Sequence, residues 1–498
     1  MTMGYIIAFD QSTSATKALL FNEQGQCLDR ESASHKQHYP QPGWVEHDAE
    51  EIWQNVLAVA QHLLARNQQH LNALAGISIT NQRETIVVFD RATGKPLAPA
   101  IVWQCRRSEA ICAAHIAVNQ NARVQQLTGL RIDPYFSASK IQWLLENIPG
   151  LRSKIETGDA LLGTMDTYLI YRLTQGQTYA TDATNASRTL LYDISQLDWS
   201  DELCELWNIP RSALAEVRAC DARFGESSLN GLLKSALPIV GVMGDSQAAL
   251  FAQRCYEPGT AKVTFGTGSS ILLNIGSTPL FSSSSLVTSL AWVQQGAPVY
   301  AFEGIIINSA ATLEWLKNQL GLITQIGEVE TLASEVSDSG GVFLVPAFSG
   351  LGLPYWQPNA RAALVGLSAH SDRRHVVRAA LESIAYQLRD ALDAMQQESN
   401  VRLSELKADG GPTANKLLMQ FTADITHTHL VLPASADCSA LGACLMGLLG
   451  LRHYQSLAEI QTLALVETRF VPQRALAETD QLYRGWQQAI KQVLSGIH

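Results

Sequence analysis

The feature that most limits how this chain can fold is a strand–turn–strand device that occurs twice. Near the start, Tyr5-Ile6-Ile7-Ala8-Phe9 is a run of strand formers that reaches Asp10, passes through a Ser/Thr-rich turn from Gln11 to Ser14, and resumes as Ala18-Leu19-Leu20-Phe21. In the second half, Ala261-Lys262-Val263-Thr264-Phe265 leads into Gly266-Thr267-Gly268-Ser269-Ser270 and returns as Ile271-Leu272-Leu273-Asn274. Small side chains in such turns leave backbone N–H groups open to a phosphate. One Gly-Thr-Gly turn is an ordinary tight turn. Two matched copies point to a duplicated architecture with a phosphate loop on each side of a cleft.

Length agrees with duplication, because a single core stops growing at roughly 250 to 300 residues and this chain has 498. The expected division is 1–252 and 253–498. Further strands are predicted at Ala75–Thr80, Ile86–Phe89 and Pro238–Gly244, and helices at Glu50–Ala65, Lys140–Glu146 and Gln247–Gln253. The fold class is therefore α/β. A third glycine turn, Gly410-Gly411, follows the strand Leu403–Ala408 and opens a helix at about Ala414 to Thr422, whose N-terminus could receive phosphate or adenosine. Residues Thr479 to Val493 have helical spacing, with Leu482, Trp486, Ile490 and Val493 on one face that packs on the body.

A formal charge of -10 argues against nucleic acid or an anionic membrane as partner. The eight cysteines are scattered without a CxxC pair, which suits free thiols in a reducing compartment. Residues 1–13 lack the basic and long apolar regions of a leader, and no later apolar stretch reaches the roughly 20 residues a span requires. A cytoplasmic protein without membrane insertion is the expectation.

Phosphoryl transfer asks an enzyme for phosphate positioning, a metal ion and a base for the attacking hydroxyl. Asp10, in the first turn device, suits Mg²⁺, as does Asp245; Asp245, in Gly-Asp-Ser-Gln at a strand end, also suits the base, although a helix cap is an equally ordinary role for it. Asn81-Gln82-Arg83-Glu84-Thr85 and Trp103-Gln104-Cys105-Arg106-Arg107 each follow an apolar strand, and Asp133-Pro134-Tyr135-Phe136 adds a phenol. An Arg/Glu pair can donate to one hydroxyl and accept from the next while an aromatic plane covers the carbons of a polyol. A surface salt bridge beside a core tryptophan is the plainer alternative.

At these residues the chain resembles the FGGY carbohydrate kinases along essentially its whole length, and most of all their glycerol-phosphorylating branch. The resemblance is carried by Gly43-Trp44-Val45-Glu46-His47-Asp48, Thr80–Thr85, Ile101–Arg107, Asp133–Phe136 and Thr184-Asn185-Ala186-Ser187-Arg188. Both family signatures also fit, one from Tyr135 through Lys140 and Trp143 to Asn147, the other from Ala362 through Gly366 and His375 to Glu382. It implies two actin/hexokinase-like (ribonuclease H-like) domains facing each other across an ATP and substrate cleft, with MgATP as donor and a homo-oligomer, dimer or tetramer, as assembly. Carried over by motif, Arg83, Glu84, Trp103, Tyr135, Asp245, Ser246 and Ser270 fall on the polyol. Thr13, Ser14, Lys17, Gly266, Thr267, Ala310, Glu314, Gly411 and Asn415 fall on the nucleotide, and Arg188 braces the first domain.

Departures from the family pattern bear on the acceptor. Ser246 stands where Gln is usual and Ser270 where an aromatic is usual, which widens the pocket and makes it more polar, so a four- or five-carbon polyol or ketose rivals glycerol. Ser12, Lys17, Ala310 and Glu314 also depart, and Lys17 keeps a positive charge without the bidentate fork of arginine. The segment Asn230–Pro238 lacks the Gly-rich, Arg-bearing loop through which some relatives bind fructose 1,6-bisphosphate, so no such inhibition is expected. Two other readings are an actin- or Hsp70-like ATPase, which has no need of the polyol set, and a non-catalytic sensor.

Overall fold

The computed structural model describes residues 4–282, 286–435, 437–464 and 466–496. Its first sheet is built from β1 (Tyr5–Gln11), β2 (Ala15–Asn22), β3 (Cys27–Ser34), β4 (Leu74–Asn81), β5 (Arg223–Ser227) and β6 (Leu237–Gly244), in the order β5-β6-β4-β1-β2-β3. The second contains β7 (Thr260–Phe265), β8 (Ser269–Gly276), β9 (Val287–Gln294), β10 (Ala297–Ile306), β11 (Glu405–Asp409), β12 (Leu430–Pro433) and β13 (Glu467–Phe470), in the order β9-β10-β8-β7-β11-β12-β13. Both share one plan. An antiparallel hairpin, β1–β2 or β7–β8, lies at the centre, and a parallel neighbour, β4 or β11, lies beside its first strand.

Position in the sheet explains strand composition. Every residue of β1 is buried because the strand is central and covered on both faces, which is why it reads as a continuous apolar run. β3, at the edge, carries Asp29, Arg30 and Glu31 on a largely exposed strand, and Arg66 from the helix Ala49–Arg66 ties to Asp29 at 3.0 Å. That helix starts at Asp48, whose carboxylate accepts from the N–H groups of Glu50 and Glu51, and its apolar face (Ile52, Trp53, Val56, Val59, Leu63) is buried.

The helix Cys438–Gly450 crosses back from the second half of the chain to pack on the first sheet and against the helix Asp245–Ala252. Close contact requires Gly442, where an added Cβ would sit 1.8 Å from the Ala248 carbonyl oxygen. The crossing helix thus supports the end of β6, and Ser439 Oγ donates to the Asp245 carbonyl at 3.1 Å. Asp245 is itself the first residue of its helix. Gly244, at φ -62 and ψ 147, occupies the cap position and makes no side-chain cap bond, so the capping role open to Asp245 from sequence does not apply. A carboxylate in a first turn still complements the helix dipole.

A buried girder runs beside this strand end. Asp182 accepts from the N–H groups of Thr184 and Asn185, Thr184 Oγ1 accepts from the N–H of Gly244 at 2.8 Å, and Asn185 exchanges side-chain hydrogen bonds with Asn81. One short segment therefore holds the ends of β4 and β6 in register and delivers Arg188. At the other end of the chain the helix Leu476–Ser495 buries Tyr483, Trp486, Ala489 and Ile490, with Leu482 half-buried, and Asp390 accepts from Tyr483 Oη at 2.6 Å and Trp486 Nε1 at 2.7 Å.

Asp166 lies under the girder, accepting from Thr181 Oγ1 at 2.7 Å and the N–H of Asp182 at 3.1 Å. Burial, then the neighbouring Asp182 charge, raises its pKa to about 7. A carboxyl raised in this way favours folding while protonated, so its contribution is complete below the ordinary value near 3.8 and is lost as pH rises through about 7. The thermal midpoint is expected to fall between about pH 4 and pH 7 in the wild type. Asp166→Asn should flatten that slope in differential scanning calorimetry, and an unchanged slope would assign it to other groups.

Candidate active site

The wall of the cleft between the halves is set by charges that cannot be left alone. Arg83 and Glu84 follow β4, Arg188 follows the girder, and Glu303 projects from β10 of the opposite half; each side chain is 5% exposed or less. Arg188 Nε meets Glu84 Oε1 at 2.7 Å, Arg188 Nη1 meets Glu303 Oε2 at 2.5 Å, and Arg83 Nη2 meets Glu303 Oε1 at 3.1 Å. Positive and negative groups alternate, so the network is neutral overall. Burial alone would raise Glu303, but the charges of Arg188 and Arg83 outweigh it and bring its pKa down to about 2. Burial pushes Glu84 up, with Arg83 and Arg188 pulling against it.

Asp245 joins this network at its open edge. Its Oδ1 lies 3.4 Å from Arg83 Nε and accepts from the N–H of Ser246 at 2.6 Å. Its side chain is 36% exposed against 2% for Glu84 and Glu303, so of these three carboxylates it is the most open to the cleft. The cleft it faces holds about 610 Å³ and is lined from one side by Thr13, Arg83, Glu84, Trp103 and Tyr135, and from the other by Gly266, Gly268, Ser270 and Glu303. Trp103 and Tyr135 meet edge-on at 5.4 Å between ring centres, and Trp103 Nε1 donates to Thr13 Oγ1 at 3.0 Å. Thr13 therefore stands in the same cleft as the expected polyol residues.

Beside the cleft, burial raises the pKa of Asp10, against the pull of Lys17, whose Nζ lies 3.2 Å away; the charge of Asp245 adds to the rise. Lys17 also faces Asp437 at 3.7 Å, a residue of the second half. Ser14 and Thr267 are exposed at the tips of their turns. A second cavity of about 430 Å³ is lined by Ala310, Glu314, Gly411 and Asn415 together with Leu313, Ile326 and Leu418. A hydrogen bond joins the linings of the two cavities, the N–H of Ala310 donating to the Gly266 carbonyl at 3.0 Å. Gly410 permits the turn that lines this second space, since it has φ +99 and a Cβ there would sit 1.9 Å from the Phe265 carbonyl oxygen. Asn415 caps the helix Lys416–Thr426 by accepting from the N–H of Leu418 at 2.9 Å.

Sequence reasoning missed Glu303 and the apolar strip Ile305 to Ile307 that lines the cleft beside it. A lone acid inside Tyr300-Ala301-Phe302-Glu303-Gly304-Ile305-Ile306 was the available signal, because a central strand does not bury a carboxylate without a partner. Arg188, read as a brace, turns out to contact both Glu84 and Glu303.

Duplicated sheets, a cleft between them and one open carboxylate beside two turn devices define a two-lobed α/β phosphotransferase. The FGGY family of carbohydrate kinases matches with its N-terminal domain over residues 5–252 and its C-terminal domain over residues 261–451. A glycerol kinase from Shewanella pealeana is 46% identical over 490 residues, 98% of this chain and 99% of that one. The crystal structure of Plasmodium falciparum glycerol kinase with ADP superposes with a TM-score of 0.94 at 35% identity, covering 99% of this chain and 98% of that one. A gluconate kinase from Lactobacillus acidophilus, with a TM-score of 0.89 at 20% identity, covers 99% of both chains and shares the fold. The chain belongs to the FGGY family of carbohydrate kinases.

Removing Glu303 would leave two buried arginines, Arg83 and Arg188, with Glu84 alone as their buried counter-charge, and breaking a buried pair in this way costs roughly 3 to 5 kcal/mol. Glu303→Ala is expected to lower urea-unfolding stability by that order. Adding Arg188→Met should cost less than the sum of the single effects, because the partners share one network. Strict additivity would show that the network does not act as a unit.

Proposed function

We propose that this protein transfers the γ-phosphoryl group of MgATP to a terminal hydroxyl of a small polyol, glycerol in the first instance, giving glycerol 3-phosphate. The observation that carries the reading is Asp245, an accessible carboxylate held at 3.4 Å from Arg83 in a cleft walled by Trp103 and Tyr135. Arg83 and Glu84 donate to and accept from neighbouring hydroxyls, Trp103 and Tyr135 cover the carbons, and Asp245 takes the proton from the hydroxyl presented to it. Arg83 keeps its charge throughout, since Glu303 and Glu84 more than offset its burial.

The residues present fit the nucleotide and its metal. The second cavity offers an apolar slot beside Gly411, suited to a planar base, and the turns at Thr13–Ser14 and Gly266–Thr267 are the ones we assign to the phosphates. Among the described residues no three His, Cys, Asp or Glu side chains cluster as a closed metal site. Asp10 and Asp245 would instead hold Mg²⁺ with one or two carboxylates, phosphate oxygens and water completing its shell. When bound, MgATP supplies the phosphoryl group and offsets the charge that develops during transfer.

A larger acceptor is favoured by one specific observation. Ser270 lines the cleft, yet its Oγ is enclosed and has no hydrogen-bond partner among the described residues, so rotation about one bond presents a spare hydroxyl to a longer chain. Ser246 lines the same wall. The apolar cover that Ser270 lacks comes partly from Ile305, its cross-strand partner. The working compartment we infer is the cytoplasm, where ATP is available and thiols such as the eight free cysteines stay reduced; the assembly we expect is a dimer or tetramer of the chain.

Asp245→Asn is expected to lower kcat by roughly 10² to 10⁴-fold, the usual span of a general base, while isothermal titration finds ATP binding largely intact. Normal turnover in that variant would sink the assignment. Acceptor size is settled by coupled ADP release with C3 to C6 polyols and ketoses. Ser270→Phe with Ser246→Gln should move kcat/KM ratios toward glycerol by roughly 10 to 100-fold, the scale of one pocket contact, and static ratios would remove the larger-acceptor reading. No ADP release with any acceptor would favour an ATPase or sensor.

A further inference from the structure

We infer that Lys140 is a positioning residue for the acceptor pocket: it gathers the carbonyls of Pro134, Tyr135 and Phe136 and so fixes the loop that presents Tyr135. The inference rests on the polyol-kinase reading and concerns a residue outside the cleft.

Lys140 is fully buried in the first turn of the helix Ser137–Asn147. Its Nζ donates to the carbonyl oxygen of Pro134, to that of Tyr135 at 2.6 Å and to that of Phe136 at 3.0 Å. No carboxylate stands within ion-pair distance of it among the described residues. The charged and titratable groups facing it are Glu84 and Asp133, with the thiols of Cys105 and Cys112. A cation in a first helical turn opposes the helix dipole, and an ammonium without water is costly. Neither helix stability nor charge pairing explains its presence. Three carbonyls converging on one donor group serve only to set the path of the loop.

That path is otherwise pinned at one end. Ser137 Oγ donates to the Glu84 carbonyl at 3.0 Å, and the N–H of Ala138 donates to the Thr189 carbonyl at 2.8 Å, which binds the start of the helix to the segments that carry Glu84 and Arg188. Upstream, the N–H of Tyr135 donates to Asp133 Oδ1 at 2.8 Å. Between these anchors the backbone carbonyls must turn inward for the Tyr135 ring to turn toward Trp103, and Lys140 supplies the inward pull. Burial lowers its pKa to about 8. A neutral amine keeps two N–H groups for three carbonyls, so one is released as pH rises through that value.

The test is initial-rate kinetics from pH 6.5 to 9.5 on wild type and Lys140→Met, varying the acceptor at saturating MgATP and MgATP at saturating acceptor. The wild-type acceptor KM is expected to rise about threefold or more above pH 8 with the MgATP KM steady. Lys140→Met should raise the acceptor KM roughly tenfold at pH 7, as misplacement of a binding wall does, leave the MgATP KM within about twofold, and flatten the pH profile. A merely structural lysine would lower the thermal midpoint without separating the two KM values, and that result overturns the inference. Should the variant not fold, the wild-type profile decides, a flat acceptor KM counting against it. Absence of acceptor-dependent ADP release in the wild type would instead remove the kinase reading itself.

Discussion

The structure depends on a buried lattice in which two arginines and two glutamates alternate across the cleft. Each charge alone would cost several kcal/mol out of water, so none can be present without the others. Three of them, Arg83, Glu84 and Arg188, come from the half that builds the acceptor wall, and Glu303 comes from the other half. A charge requirement therefore becomes a geometric one: the two halves are held at the spacing that lets Glu303 reach both arginines. Asp245, touching the lattice through Arg83 but open to the cleft, gains a fixed orientation without being sealed.

The rest of the molecule serves that spacing. The girder around Asp182 sets the ends of β4 and β6 side by side through Thr184 and Asn185 and carries Arg188 into place. Gly442 lets the crossing helix lie against the helix of Asp245, which couples the second half of the chain to the base of the first sheet. Each turn device then projects from a central hairpin whose strands cannot shift without exposing their buried faces. Precision at the cleft thus comes from buried partners behind it rather than from the groups that line it.

Much of this was legible in the chain. The central hairpins are apolar runs broken by turns, and periodicity placed the helices Ala49–Arg66 and Ser137–Asn147 to within a few residues at their ends. Arg83, Glu84, Trp103 and Asp245 were singled out because they follow apolar strands and Tyr135 because it adds a phenol, the family resemblance pointed to the same five, and they line one cleft. Thr13 was assigned to the nucleotide, and that it stands beside the acceptor wall follows from the hydrogen bond with Trp103, some 90 residues away in sequence. Glu303 was passed over because strand periodicity describes which face a side chain takes and says nothing of what lies opposite.

By itself, the sequence determined local matters: the duplicated strand–turn–strand device, the α/β character, the family resemblance and the list of groups able to do phosphoryl chemistry. Short-range sterics and hydrophobic period are written residue by residue and give the first two, while the last two rest on the motifs that carry the resemblance. Tertiary structure alone decided which charges neutralise which, why Asp245 is more open than Glu84 and Glu303, and that a lysine outside the cleft shapes its wall. Those outcomes depend on groups far apart in the chain, and the energy of a buried charge is set by distance and dielectric, neither of which exists until the halves have come together.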